Sequence, residues 1–467
     1  MNIFDSGLVI VYLVICLIMG FIRFSKVKTL KDYTFGVRPF TTTVLIVTTF
    51  ATAISAHKTI GSVGKSYTMG LVFIVTMMLI PLGWFVMARL LAKNLHFFHQ
   101  EKFLTFGDIM EHFYGRSGRW LSSICAIIFT LGITAAGTMA IGSMLEYFFL
   151  IPKPISMLVV LSIVTVCSTF GGMQAVAYTD IFQFLIFFVA LPVACAIGYH
   201  DIGGIDNIIK ALPSSHLKID ASNLTMFLGM AVFAAMPNAD IPFIQRALIS
   251  QNQIQLRRAF NVTAMLMYPV FIVVGLIGLM AYTYNTSLQA DSVLFYFVKH
   301  HLPTGVIGFM IAGILAIVMS TQDAFLNATG TLIARDVCSQ IWPKLDDRKQ
   351  LMIARVSCVM ISIMAISMVF VKEDILDLIW SVTNFWDPLV IVPFIAALVG
   401  LRINKKLFPV VPITVLIAEI ITRSITGVFD TRSFAVGIIV SVLILLLLQS
   451  FSKKNIVNNV DEITGTI

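Results

Sequence analysis

Three oxygen-bearing side chains share one face of an apolar segment between residues 304 and 335. Ser320, Asp323 and Asn327 are spaced i, i+3 and i+7, so a helix would place them on one side. Oxygen atoms are the ligands that hard cations prefer, and sodium is such a cation. The hydroxyl group of Ser320 could instead bond back to its own helix. The carboxylate of Asp323 argues against that interpretation, because a carboxylate inside a membrane segment is costly and usually functional. The stripe therefore indicates a candidate cation site.

A second unusual segment covers residues 50–70. Small residues, hydroxyl groups and glycines cluster there, where a helix that faces lipid would be rich in leucine. The composition is typical of a broken membrane helix whose unwound carbonyl groups face a cavity. Close packing of two helices through small residues would give the same composition, so both interpretations stay open. His57 and Lys58 lie in the middle of this segment.

Three further acids lie in apolar segments. Asp180 is within about two turns of the start of its predicted helix, where it could complement the helix dipole or form part of an ion path. Asp240 lies two residues before Pro242, and Asp387 directly precedes Pro388. Because a residue before proline is disfavoured in the helical conformation, we expect irregular backbone near both acids.

Nucleotide and metal–thiolate chemistry are not indicated. Residues 59–66 come near a phosphate-binding loop, but Thr59 stands where that pattern requires glycine, and no strand precedes it. Five of the six cysteines lie in apolar segments and none forms a CxxC pair, which is typical of small buried hydrophobic residues. Transport by such a chain must therefore draw on an ion gradient or be passive.

These residues must be positioned by membrane helices. The chain has 467 residues, of which 58% are hydrophobic and only 12% charged, and its mean hydropathy is +0.93. Soluble proteins carry roughly 25% charged residues. We predict an all-α polytopic membrane protein with about thirteen transmembrane helices, at residues 7–24, 41–62, 67–92, 118–148, 154–171, 174–198, 222–242, 260–284, 304–335, 349–371, 374–400, 405–424 and 432–451.

The distribution of basic residues predicts the orientation of these helices. With the N-terminus outside, most of the 32 lysines and arginines fall in inside loops or at inside helix ends, as the positive-inside rule requires. They include Arg23, Lys26, Arg119, Arg246 and Arg335. The one predicted inside loop without a basic residue is the short turn at Gly171-Gly172. We expect an integral protein of the bacterial inner membrane with a cytoplasmic C-terminus, and the net charge of +8 then calls for no nucleic-acid partner.

Four motifs, taken together in this order, give the chain its resemblance to a known family. It resembles the sodium/solute symporter family, whose members carry proline, pantothenate, sialic acid and sugars, over about residues 5–450. The matching stretches are Gly61-x-x-Gly64-x-x-Tyr67-x-x-Gly70, Gly171-Gly172 through Thr179-Asp180-Ile-Phe-Gln183, Gln245-Arg246, and Met319-Ser320-Thr321 through Leu326-Asn327 to Arg335-Asp336.

The resemblance implies a fold and a sodium site. The fold would be a LeuT-like core of two inverted five-helix repeats, at about residues 41–198 and 222–400, within one transporter domain, residues 1–451, followed by a polar, mobile cytoplasmic tail, residues 452–467. Sodium, the coupling ion, would be bound by carbonyl groups of Ala51, Ile54 and Ile317 and by the hydroxyl groups of Ser320 and Thr321. Asp180 resembles the family's acid that supports sodium binding or release, and we place Asp323 on the same ion path.

The identity of the substrate does not carry over from the family. His57 and Lys58 stand where the sugar carriers place acidic and amide groups, and Thr52 or Ala53 replaces an acid of the proline carriers. An ammonium group near the middle of the membrane needs a partner. For Lys58 that partner could be Asp240, Asp323 or Asp387, water at the outer gate, or a substrate carboxylate.

The sequence thus favours a sodium-coupled symporter, not an enzyme, that imports a small carboxylate-bearing solute by alternating access. His57, Lys58, Asp240 and Asp387 are the candidate substrate-binding residues. One alternative is a carrier of the same fold that is coupled to protons through Asp323 or His57. A less favoured alternative is a membrane sensor. The expected partners are the solute and membrane lipid, and no organic cofactor is expected.

Overall fold

The computed structural model describes residues 2–21, 27–218, 224–369, 375–426 and 431–464, and every regular element among them is a helix. Arg23 and Lys26, two of the basic residues predicted to lie inside, are outside the described residues. The all-α class predicted from the composition is confirmed for the described residues.

Among the described residues, the first half of the chain contains ten helices and one π-helical segment. They are α1 (Ile3–Phe21), α2 (Leu30–Phe35), α3 (Thr42–Ala53), the π-helical segment His57–Gly61, α4 (Ser62–Met69), α5 (Leu71–Met77), α6 (Ile80–Gln100), α7 (Phe106–Phe149), α8 (Lys153–Ile202), α9 (Ile205–Ala211) and α10 (Ser214–Leu217).

The second half contains the remaining helices. They are α11 (Leu224–Ala235), α12 (Ile241–Ile249), α13 (Gln253–Tyr284), a 3-10 turn (Ala290–Ser292), α14 (Val293–His301), α15 (Val306–Leu332), a π-helical segment (Ile333–Cys338), α16 (Ser339–Ile341), α17 (Asp347–Val369), α18 (Ile375–Trp386), a π-helical segment (Asp387–Ile391), α19 (Val392–Val399), α20 (Val410–Thr426) and α21 (Thr431–Thr464). Because α21 ends at Thr464, residues 452–464 of the tail expected to be mobile continue the last helix.

Nine helical segments among the described residues are long and apolar enough to cross a membrane, or ten if the bent pair α3–α4 is one span. The thirteen spans predicted from the sequence stay a prediction. One reason for the difference is that α8 is a single run of helical residues in which the chain nevertheless reverses its direction.

The reversal in α8 occurs at Gly172, which has φ 62° and ψ −177°. On one side of this glycine, Sγ of Cys167 donates to the carbonyl oxygen of Cys16 in α1 at 3.7 Å. On the other side, Nε2 of Gln183 donates to Sγ of Cys16 at 3.9 Å. Along a straight helix Cys167 and Gln183 would be about 24 Å apart. The two limbs of α8 therefore run back to back, and the turn predicted at Gly171-Gly172 is present.

The helix predicted over residues 41–62 is broken. It ends at Ala53, Ile54 is extended with φ −94° and ψ 116°, and the helical residues that follow are inclined by 62° to α3. Hydroxyl groups supply local bonds around the break, since Thr59 donates to the carbonyl oxygen of Ser55 at 2.9 Å and local side-chain bonds compete with helical ones. The broken helix is therefore found, and the close packing through small residues is found as well, since an added Cβ on Gly64 would clash with the carbonyl oxygen of Ala290.

The centre of the molecule is α15. Its residues from 310 to 332 are all buried, and it packs against α1, α3, α7, α8 and α17. By contrast α1, α20 and α21 expose large apolar side chains along their length, as helices that face lipid do. The break in α3 and both limbs of α8 consequently meet on the central helix.

Candidate functional site

A cluster of backbone oxygens surrounds the hydroxyl group of Thr321 at the break in α3. Its Oγ1 lies 3.2 Å from the carbonyl oxygen of Ile54, 3.4 Å from that of Thr52 and 3.2 Å from that of Ile317. A hydroxyl group has one proton to donate, so it cannot satisfy three acceptors. The surplus of oxygen atoms, at the carbonyl end of α3 where helical partners are missing, is suited to a cation.

The other two predicted sodium ligands lie close to this cluster in the chain but make different contacts. Ala51 is fully buried in the last turn of α3. The hydroxyl group of Ser320 donates to Oδ1 of Asp180 at 2.6 Å. Ile54, Ile317 and Thr321 are therefore brought together, while Ser320 connects the cluster to Asp180.

Asp180 forms a buried ion pair with Arg246. Both side chains are fully buried, and Nη2 of Arg246 lies 3.4 Å from Oδ2 of Asp180. The same Nη2 donates to Thr48 at 2.9 Å and to Thr52 at 2.6 Å, and Thr48 donates in turn to Asp180. Asp180 is thus more than an acid at the start of a helix, since it joins α8 to α3, α12 and α15.

The position of Arg246 corrects the sequence-based assignment of this residue. We counted it among the basic residues of the inside loops and their helix ends; it lies in α12 and is fully buried, so its side chain is part of the packed bundle. Arg119, counted in the same way, is also buried and pairs with Asp108 and Glu111. The signal that could have found the role of Arg246 was Asp180 itself, because a carboxylate inside the bundle calls for a cation.

The polar stripe of α15 contacts three different partners. Ser320 bonds to Asp180, Asp323 accepts a hydrogen bond of 2.6 Å from Ser168, and Asn327 accepts one of 3.0 Å from Gln245. Both Asp323 and Asn327 are buried. The stripe therefore faces the two limbs of α8 and helix α12, and it is a polar seam rather than one compact site.

All four predicted substrate-binding residues line one cavity. His57, Lys58, Asp240 and Asp387 surround a space of about 70 Å³. Thr321 lines the same cavity, so it is continuous with the oxygen cluster. The other lining residues are mostly apolar or aromatic: Thr52, Ala53, Ser55, Ile80, Phe129, Ile133, Phe233, Ala234, Met236, Pro237, Asn238, Phe243, Phe325, Ile379 and Thr383.

Lys58 is the cation of this cavity. Its Nζ donates to the carbonyl oxygen of Ala53 at 3.0 Å, and in the described part of the chain no carboxylate lies within the 4.0 Å of an ion pair with it. Asp240 accepts a hydrogen bond of 3.1 Å from Nε1 of Trp386, and His57 bonds through Nδ1 to the hydroxyl group of Ser55 at 2.9 Å. The ammonium group of Lys58 thus uses one of its three N–H donors on Ala53 and has two more that a ligand could accept.

A second cavity, of about 60 Å³, adjoins the first and shares His57, Lys58, Phe233 and Ala234 with it. Ile80 and Ile379 are shared as well, and the rest of its lining consists of Phe73, Met77 and Met230 with the two hydroxyl residues Ser62 and Thr76. Together the two spaces offer charged groups at one end and an apolar compartment at the other.

Comparison with known proteins identifies what this architecture resembles. The family model described as the sodium:solute symporter family matches residues 33–406. The osmoregulated proline transporter OpuE of Bacillus subtilis is 24% identical over 470 residues, which cover 89% of this chain and 94% of the relative. The sodium/proline symporter 2 of Staphylococcus saprophyticus is 25% identical over 401 residues, 81% of this chain and 77% of the relative.

Two solved structures share the fold. A Na+-coupled sialic acid symporter, in a substrate-bound outward-open state, superposes with a TM-score of 0.85 at 18% identity, over 96% of this chain and 98% of its own. MHP1, a nucleobase-cation-symport-1 family transporter, superposes with a TM-score of 0.57 at 15% identity, over 90% of this chain and 94% of its own.

Proposed function

The chain belongs to the sodium:solute symporter family, and on that premise we propose that it couples sodium entry to the import of a small solute that bears both a carboxylate and an amine. Like its relatives, which are transporters, it is a membrane transporter and not an enzyme. The observation that carries the proposal is that the oxygen cluster at Thr321 and the charged residues Lys58, Asp240 and Asp387 line the same cavity.

Sodium would bind at the break in α3. Its ligands would be the carbonyl oxygens of Ala51, Ile54 and Ile317 and the hydroxyl groups of Ser320 and Thr321. The surplus of acceptors around Thr321 supports this assignment, since a hard cation prefers oxygen ligands. Asp180 and Asp323 would supply negative charge along the ion path.

The solute would bind beside the ion. Lys58 uses one of its three N–H donors on Ala53 and could give the others to a carboxylate, while Asp240 or Asp387 would accept from an amine. With one lysine and two acids facing the space, a zwitterion leaves fewer buried charges uncompensated than an anion alone. The adjoining apolar cavity would take an apolar side chain of the solute.

The topology that we propose retains thirteen spans, with inverted repeats at about residues 41–198 and 222–400 and a cytoplasmic C-terminus in a bacterial inner membrane. The breaks support it. The first predicted span of each repeat is interrupted, between α3 and α4 in one and between α11 and α12 in the other. Interrupted helices at corresponding positions of two halves are the pattern of inverted-repeat transporters, which place the ligands at the breaks.

Uptake by proteoliposomes with an inward sodium gradient tests the function. We expect Lys58→Gln to raise the solute concentration for half-maximal uptake by about tenfold or more, since a charge-assisted hydrogen bond contributes roughly 1.5–3 kcal/mol. Sodium binding without solute should barely change. Lys210→Gln, in the exposed helix α9, is the matched control and should behave as wild type.

An internal ion pair is the result that would contradict this role of Lys58. It would be revealed if Lys58→Gln failed to fold and a second change, Asp240→Asn or Asp387→Asn, restored the protein. The lysine would then carry no information about the solute, whereas sodium-dependent uptake by the restored protein would leave the symporter function intact.

Proton coupling is the second candidate, and the burial of Asp323 favours it. This carboxylate has a hydrogen bond from Ser168 and no ion pair among the described residues, so it could exist protonated inside the bundle. Uptake driven by a proton gradient in sodium-free medium, and lost in Asp323→Asn, would establish proton coupling. Uptake that requires sodium at every pH would rule it out.

A further inference from the structure

A third cavity, lined by polar residues, lies away from the proposed transport site. It is situated where α7 continues after Gly115 and where α15 ends. It has a volume of about 360 Å³, and its lining includes Arg116, Arg119 and Arg335. Trp120, Gln340 and Gln350 also line it. In the part of the chain that the structure describes, no carboxylate lines this cavity. The lining is therefore rich in cationic and neutral N–H donors.

Acids behind the lining hold two of the arginines in place. Arg119 pairs with Asp108, with Glu111 at 2.8 Å and, through Nε, with Asp336 at 3.7 Å. Nε of Arg335 lies 3.9 Å from Asp108. None of these carboxylates is among the residues that line the cavity, so they hold the two guanidinium groups without occupying it.

These arginines retain unused hydrogen-bonding capacity. Arg119 is only 7% exposed, and its Nε has no hydrogen-bond partner in the described structure. Nε of Arg335 is likewise buried and without such a partner, although the side chain as a whole is 43% exposed. Since a guanidinium group carries five N–H donors and these ion pairs occupy only some of them, an acceptor in the cavity would meet donors that are still available. Arg116, which is exposed, makes no ion pair among the described residues.

We propose that this cavity binds a phosphate group. The planar guanidinium group matches phosphate oxygens with two parallel hydrogen bonds and is better suited to them than an ammonium group is. Three guanidinium groups on two elements, α7 and the π-helical end of α15, could contact several oxygens of one phosphate at once. The neutral amides of Gln340 and Gln350 would donate to the remaining ones.

The phosphate could belong to an anionic lipid headgroup or to a soluble phosphate ester. Features beside the cavity suit a headgroup: Trp120 lines it, and Ile341 and Trp342 are 52% and 57% exposed. Tryptophan is enriched where helices cross the membrane surface. In the proposed topology this end faces the cytoplasm, where anionic lipids and basic pockets between helices meet.

Binding to the purified full-length protein tests the proposal without transport. One arm measures retention of dioleoylphosphatidylglycerol against dioleoylphosphatidylcholine by native mass spectrometry. The other measures the shift of the unfolding temperature by inorganic phosphate against chloride at equal ionic strength. We expect Arg116→Gln/Arg335→Gln to weaken binding at least about tenfold in one arm, because two charge-assisted contacts are removed. Arg257→Gln/Arg258→Gln, at exposed positions near the start of α13, is the control with an equal change of charge.

The outcomes separate the two sources. Loss of phosphatidylglycerol retention in the cavity variant alone identifies a lipid headgroup, and loss of the phosphate-induced shift alone identifies a soluble phosphate. Equal effects of the cavity and control variants, or no binding in either arm to wild type, would overturn the proposal. If the double variant fails to fold, Arg116→Gln alone decides, because that side chain supports no ion pair among the described residues.

Discussion

At the scale of single residues, the decisive feature is a mismatch between donors and acceptors. Thr321 has one proton and three carbonyl oxygens around it, and no rearrangement of its hydroxyl group can satisfy them all. Ser320, one residue earlier, directs its proton to Asp180. A cation at the break would use the oxygens that remain and would link α15 to α3.

Removing both hydroxyl groups should weaken sodium binding. We expect Ser320→Ala/Thr321→Ala to raise the sodium concentration for half-maximal uptake by at least about tenfold, because each lost ligand leaves the ion less completely surrounded in a dry site. Ser362→Ala, whose hydroxyl group bonds to its own helix at Cys358, is the control. Sodium titrations of uptake provide the measurement, and an unchanged titration in the double variant would remove these ligands from the site.

The pair of Asp180 and Arg246 should be strongly coupled. Breaking a buried ion pair from one side typically costs about 3–5 kcal/mol, because the other charge is left without a partner. We expect Asp180→Asn and Arg246→Gln each to lower the unfolding temperature markedly, and the double variant to recover part of the loss. Thermal unfolding in detergent measures this cycle. Strictly additive shifts would mean that the two charges do not stabilise each other.

At the scale of elements, two irregular positions create the site. The break after Ala53 exposes the carbonyl oxygens of α3, and the reversal at Gly172 folds α8 so that Ser168 and Asp180, from different limbs, both contact α15. The second limb also brings Asp180 to Thr48. Straight helices would separate these groups, so the polar seam depends on the turn.

The turn at Gly172 should not tolerate a side chain. Its φ of 62° with ψ −177° is open almost only to glycine, and an added Cβ would lie 3.1 Å from the carbonyl oxygen of Tyr33. We expect Gly172→Ala to destabilise the protein by about 1–3 kcal/mol. Gly7→Ala is the control, because its Cβ would meet nothing within 4 Å. Equal unfolding temperatures for the two variants would contradict the strain.

At the scale of the whole molecule, the proposed ion site and the proposed solute site line one continuous cavity. Thr321 and Thr52 belong both to the oxygen cluster and to the cavity lined by Lys58 and Asp240. An ion there would stabilise the junction of α3 and α15, which also forms part of the solute cavity. Binding of either ligand should therefore preorganise the site of the other.

This arrangement predicts reciprocal binding. Saturating sodium should raise the affinity for solute, and saturating solute should raise the affinity for sodium by the same factor, typically about 5–150-fold. Calorimetric titrations of the purified protein in both orders measure the two factors. Ser320→Ala/Thr321→Ala should reduce the coupling, whereas Ser362→Ala should preserve it. Equal solute affinity with and without sodium would show that the two sites are independent.

The sequence alone determined the features that local composition encodes. Low charge and long apolar runs identified a helical membrane protein, and small residues with hydroxyl groups around His57 predicted the broken helix that the structure contains. The consecutive glycines at 171 and 172 predicted the turn, because a glycine tolerates the backbone angles found there. Each of these properties belongs to one stretch of chain and to the solvent around it.

The tertiary structure alone decided which distant residues meet. Asp180 pairs with Arg246, Trp386 donates to Asp240, and Lys58 turns to the carbonyl oxygen of Ala53 while two acids line the same cavity. Periodicity assigns a side chain to a face of its own helix, but the neighbour across that face depends on how the helices pack. The burial of Arg246, which its place after a predicted span had assigned to an inside loop or helix end, follows from that packing.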